Sequence, residues 1–207
     1  MIPLMNKSNL DVYVDDEYVE DDYDYSEYIL PIHPDRDGID FINIWFKGKT
    51  ELGQMLSHFY NSPFEHPYFG PFNSMEGFWH FIQTIEKDNE LSVPIHYNKL
   101  RSLSGMAAKN YGKSLTWHKV DQFYEIIEAA NYYKIEQNTK LYNMFVSSKL
   151  PFEMYFIKKS SGDADGQGEI VIKLENYRWL LNSFEKIRIM MQYDERPKII
   201  DYKAIFD

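Results

Sequence analysis

LGQMLSHFYNSPF (52–64), YFGPFNSMEGFWHF (68–81) and LSGMAAKNYGK (103–113) together decide how this chain is read. Residues 53–113 hold its most closely spaced mixture of aromatic rings, carboxylate and positive charge. Pro63, Pro67, Gly70 and Pro71 favour extended or turning backbone over a continuous helix. A helix then starts, with Asn73 as the expected N-cap, Glu76 three residues on, and Met75, Phe78, Trp79 and Ile82 as its apolar surface. Asn73-x-x-Glu76 reads as a variant capping box. Glu76 is therefore either a residue that satisfies helix amides or a chemical group, and the two roles do not exclude each other.

On the N-terminal side, FINIWF (41–46) predicts a strand near 40–47 through its β-branched and aromatic residues. On the C-terminal side, residues 96–111 predict a helix interrupted or loosened at Gly105. WHKVDQFYEIIEAANYYKIEQNTKLYNMFVSS (117–148) predicts one long bent helix or two helices divided near Glu136. Trp117, Val120, Phe123, Ile127 and Ala130 supply its apolar stripe. A strand over 152–157, the loop SSGDADGQG (160–168) and EIVIKL (169–174) predict a short antiparallel pair. Helical patterning returns at 176–191. The expected fold is a compact, mostly helical α+β domain with a small antiparallel sheet, occupying 37–207.

Residues 1–36 form an acidic, tyrosine-rich arm. Between Asp11 and Tyr28 there are nine Asp or Glu and no Lys or Arg, leaving 22 basic against 23 acidic residues elsewhere. The net charge of −10 is thus largely a property of one segment. Its repelling carboxylates favour extension, and its five tyrosines can anchor it on a surface. Conversely, residues 96–119 carry Lys99, Arg101, Lys109, Lys113 and Lys119 without an acid, a candidate positive wall beside an anionic ligand.

Composition excludes several chemistries. The chain has no cysteine, which removes disulfides, thiol nucleophiles, iron–sulfur clusters and cysteine-based zinc sites. It has no P-loop, no GxGxxG, no G-x-S-x-G elbow and no HExxH. No apolar run approaches a membrane span, so the expectation is a soluble cytoplasmic protein with no membrane partner.

The motif order resembles the NADAR, or YbiA-like, family of compact α+β proteins. LSHFYNSPF is similar to the family's LSNF and following PF stretch, and FNSMEGFWHF to its aromatic helix beginning near a catalytic glutamate. GMAAKNYGK (105–113) is similar to its Gly, Ala-Lys and Gly-Lys pattern. KIEQNTKLYNMFVSS (134–148) resembles its Lys-Phe, Gln-Asn and Leu-rich helix, and Glu153 follows in order. The likeness covers roughly 40–191. DADGQG (163–168), Asn176, Leu180, Leu181 and Arg188 resemble the family's C-terminal pattern, but Gln167 and its neighbours replace the family's Trp-Gly pair. The family is associated with cleavage of N-glycosidic bonds in phosphorylated riboflavin-pathway intermediates and in ADP-ribosylated guanine.

The resemblance implies a ribosyl C–N bond as the target, with no cofactor. The partner would be a phosphorylated riboside or an ADP-ribosylated small molecule, with ADP-ribosylated nucleic acid a further candidate. Such hydrolysis develops oxocarbenium character, which a carboxylate stabilises while it orients water. Glu76 is the leading catalytic residue, with Asp163 and Asp165 as secondary acids on a glycine-rich loop. Lys109 and Lys113 are four residues apart and share a helix face near phosphate if Gly112 does not end the helix. Trp117 is expected to stack on a base or close the pocket, Glu153 to face it from a strand, and Gly105 to let backbone or ligand approach. Each also has a structural reading: solvated lysines, a core tryptophan, ordinary turn acids. Glu76 and His80 have the spacing of a metal pair but lack a third ligand, so a solvent contact or hydrogen bond is expected there. Two other functions stand beside hydrolysis: a non-catalytic ADP-ribose or nucleotide-binding module, and an acidic interaction or inhibitor protein that binds a basic partner through its arm.

Overall fold

Ser74, rather than Asn73, caps the helix that carries Glu76. Its hydroxyl accepts a hydrogen bond from the Gly77 amide (3.1 Å) and donates one to the Leu103 carbonyl (2.9 Å). The Asn73 side chain instead reaches the Ser102 carbonyl. Glu76 is therefore the second helical residue, not the third, and its amide donates to the His58 carbonyl at 3.0 Å.

The computed structural model describes residues 32–85, 94–159 and 169–206. Residues 1–31 of the acidic arm and the loop with Asp163 and Asp165 lie outside them. In chain order, β1 (Ile42–Asn43) leads into α1 (Glu51–Leu56). The hairpin β2 (Phe64–His66) and β3 (Gly70–Phe72) follows, then α2 (Met75–Thr84). Next come α3 (Pro94–Ser102), α4 (Gly105–Lys113), α5 (Phe123–Glu136) and α6 (Thr139–Ser147). β4 (Phe152–Glu153), β5 (Tyr155–Lys159), β6 (Glu169–Lys173), α7 (Arg178–Gln192) and α8 (Tyr202–Phe206) complete the chain. This is a mixed α+β fold, mostly helical, with small strand pairs: β1 runs parallel to β4, whereas β2–β3 and β5–β6 are antiparallel.

α2 lies at the centre, packed against α3, α4 and α5, while α5 also supports α6, α7 and the β2–β3 hairpin. Phe72, Met75, Phe78, Ile82, Ile126, Ile127, Phe145 and Phe184 are almost completely buried and share one core. Burying such a side chain contributes roughly 1.5–3 kcal/mol, so α2 is held chiefly by its apolar face rather than by its cap. The C-terminal segment folds back onto the hairpin. Tyr202 stacks on Tyr68 (5.0 Å) and reaches His66 Nε2 through its hydroxyl (3.0 Å), and Phe206 meets Phe69.

Several boundaries differ from expectation. The strand expected over 40–47 shortens to Ile42–Asn43, because buried Asp37 captures the backbone beyond it. Asp37 accepts from the Asn43 amide (2.9 Å) and the Lys49 amide (2.8 Å), turning the chain after the strand. Residues 152–157 split at Met154 into strands with different partners. The long helical segment is two helices, because Asn138 caps α6 by accepting from the Leu141 amide. Residues 117–122 precede α5 and are not helical, so Trp117 and Val120 do not belong to its stripe.

Candidate functional site

Glu76 and His80 are one turn apart on α2, and the helix fixes their approach: His80 Nε2 lies 3.3 Å from Glu76 Oε1. The glutamate side chain is 12% exposed and the histidine side chain 3% exposed. His80 is thus a buried ring: of the solvent contact or hydrogen bond expected from its spacing, the solvent contact does not hold. Neither ring nitrogen completes a well-aligned hydrogen bond among the described residues. A buried polar group left this way costs free energy unless it is put to use.

The surroundings of His80 are close-packed. Trp117 lies against it with ring centres 5.4 Å apart, and the indole N–H donates to the Gly112 carbonyl at 2.9 Å. A side chain at Gly112 would overlap the imidazole. Gly112 is therefore where α4 can approach α2, and Trp117 stands behind the histidine.

Trp79 follows Glu76 by three residues on α2. It contacts His58 (5.6 Å) and Phe123 (4.8 Å) and stacks on Trp179 (5.9 Å). His58 accepts from the Asn131 amide through Nε2 at 3.2 Å, with the ring tautomer that this donor requires. Burial and, next, the positive charge of Lys134 depress the His58 pKa to about 3. Lys134, one turn beyond Asn131, is fully buried and donates to the Leu56 (3.2 Å) and Ser57 (3.0 Å) carbonyls. Burial alone lowers its pKa to about 7. α5 thus grips residues 56–58 at two points, and the His58 carbonyl in turn holds the Glu76 amide.

α4 runs unbroken through Gly112, so Lys109 and Lys113 stand one turn apart on one face. Lys109 is partly buried with its ammonium 5.8 Å from the Phe59 ring, while Lys113 is exposed. Two members of the basic stretch are engaged in packing: Lys99 lies over Tyr111, and Arg101 lies over Tyr97 and donates to the Phe69 carbonyl. Gly105 adopts φ +53°, a conformation open to glycine, and separates α3 from α4 where the chain nears the Phe59 carbonyl. Glu153 lies near Lys173 (3.5 Å) and Arg178 (3.9 Å), and no hydrogen bond or ion pair joins it to Glu76. Of the residues expected to act together, the structure connects Glu76 with Trp117 through His80, and Lys109 with the Phe59 loop.

His58, Trp79 and the burial of His80 were not signalled as site features by the sequence. The spacing of Glu76 and His80 was visible, but the glycine that permits the ring's burial lies 32 positions further on. Among the described residues, no group of three or more His, Asp or Glu is placed to hold a metal ion. No described helix is long and apolar enough to cross a membrane. A separate cleft of about 240 Å³, lined by Tyr132, Glu136, Thr139, Tyr142, Met191 and Asp194, contains none of the expected site residues.

No family model, curated protein or solved structure matches this chain. The NADAR and YbiA-like labels, and ADP-ribose specificity with them, are corrected on that finding. The likeness is one of short motifs in order and does not amount to membership.

Proposed function

We propose that the protein hydrolyses an N-glycosidic bond in a phosphorylated riboside, with Glu76 as its catalytic carboxylate. The observation that carries this reading is the Glu76–His80 pair: a carboxylate only 12% exposed, beside a buried imidazole with unspent hydrogen-bonding capacity. A carboxylate so shielded is worth more to a developing positive charge than one in bulk water. In the proposed reaction, water forms the new bond to the ribosyl anomeric carbon. The C–N bonding pair leaves with the base, and the proton lost by water passes to Glu76 and then to the departing nitrogen. His80 packs beside the carboxylate, Trp117 and Gly112 position His80, and Lys109 with Lys113 attracts phosphate.

The test is single-turnover base release from a panel of phosphorylated ribosides, with products identified by mass spectrometry. Glu76→Gln is expected to lower the rate by at least about 100-fold, the lower end of what a positioned acid or base contributes, while circular dichroism shows a folded protein. Unchanged cleavage by folded Glu76→Gln removes Glu76 from the chemistry, and absence of base release from the whole panel by the native chain removes the hydrolytic reading.

A further inference from the structure

We infer that Phe46 and Phe59, with Lys47 and Lys109 at either end, form a stacking platform for the planar base of a nucleoside 5′-phosphate. The inference rests on the reading of Glu76 as the reacting carboxylate, and adds to it where the leaving base is held. The two phenyl rings stack with centres 5.4 Å apart and planes 26° from parallel. The Lys47 ammonium lies 5.3 Å from the Phe46 centre and the Lys109 ammonium 5.8 Å from that of Phe59. Phe46 is 38% exposed although paired with Phe59, and Lys47 is exposed above it.

The platform is built in advance of any ligand. Buried Asp37 pins both ends of the Phe46 loop through the Asn43 and Lys49 amides. Within the loop, the Gly48 amide donates to the Trp45 carbonyl (2.8 Å), and the Gly48 carbonyl accepts from Gln54 Nε2 (2.7 Å). A loop tied in this way loses little freedom when it is covered. The platform is tied through the backbone to the start of α2: Phe59 follows His58, whose carbonyl accepts from the Glu76 amide at 3.0 Å.

Relative magnitudes favour a base over the lysine as the cover of Phe46. An exposed cation–π contact contributes about 0.5–1 kcal/mol, whereas a base stacked on an aromatic side chain contributes about 1–3 kcal/mol. A planar heterocycle therefore displaces the Lys47 ammonium from the ring. The freed ammonium meets the ligand's phosphate, as a point charge on a flexible stem.

Calorimetric titration of the full chain with adenosine 5′-monophosphate and with ribose 5-phosphate tests this. Phe46→Ala is expected to weaken the nucleotide about 10-fold or more and to leave ribose 5-phosphate unchanged. Phe46→Leu keeps apolar bulk without a flat ring and is expected to behave like Phe46→Ala, while Lys47→Gln weakens both ligands. Equal nucleotide affinity in native and Phe46→Ala proteins, or no saturable nucleotide binding at millimolar concentration, overturns the platform. Because titration needs no turnover, Phe46-dependent binding without base release keeps the platform and removes hydrolysis. Base release by Phe46→Ala with native kcat and KM does the reverse.

Discussion

Gly112 sets the site by having no side chain. Its carbonyl receives the Trp117 indole, and its missing Cβ is the space in which the His80 ring lies. Gly112→Ala forces the imidazole or α4 to move, and overpacking of this kind costs about 1–3 kcal/mol. A lower urea midpoint with unchanged denaturant slope is the expected outcome of equilibrium unfolding. An unchanged midpoint shows that the helices can part at no cost, and His80 is then not held by Gly112.

α2 is positioned by the elements around it more than by its own propensity. Ser74 joins its first turn to the segment between α3 and α4, because one hydroxyl both receives the Gly77 amide and donates to Leu103. Loss of a serine cap costs about 0.5–2 kcal/mol, and here a partly buried carbonyl also loses its donor. Ser74→Ala is therefore expected to lower stability by about 1–2 kcal/mol. Asn73→Ala, which removes only the more exposed bond to Ser102, is expected to cost less. Parallel urea titrations distinguish them, and a larger loss in Asn73→Ala contradicts the assignment of the cap. From the opposite side, Asn131 and Lys134 on α5 hold residues 56–58, so α2 and its carboxylate are fixed by two neighbouring helices.

Across the whole molecule, buried titratable groups give stability a definite pH dependence. Burial depresses His58 and His66 from the ordinary 6.5 to about 3 each. Between those values the unfolded chain binds protons that the folded chain refuses. The stability is present above pH 6.5, declines as pH falls below it, and is lost by about pH 3. Lys134 adds a slope of the same sign between about 7 and its ordinary 10.5, so stability also rises with pH in that window. Urea midpoints at pH 7, 6 and 5 are expected to fall in order, above the range in which most carboxylates titrate. Each histidine contributes at most about 1.4 kcal/mol per pH unit. His66→Gln is expected to flatten the profile, and an equally steep profile in that variant, or a flat one in the native chain, contradicts the burial of these rings as neutral groups.

The sequence by itself determined the helix that carries Glu76, an interruption near Gly105 and an antiparallel pair on either side of 160–168, and it offered a division near Glu136 as one of two readings of the segment after Trp117. Each is written in local terms: apolar spacing, a turn residue, a cap. It also placed Glu76 four residues before His80 and Lys109 four before Lys113. Only the tertiary structure decided that Ser74 caps α2, since that choice depends on a carbonyl 29 residues away. The burial of His80, its packing against Trp117 and the support of His58 by Asn131 and Lys134 likewise required α4 and α5 to meet α2. Local pattern reports which side chains share a helix face. Which face is dry, and which polar atom there lacks a partner, depends on contacts between segments distant in sequence.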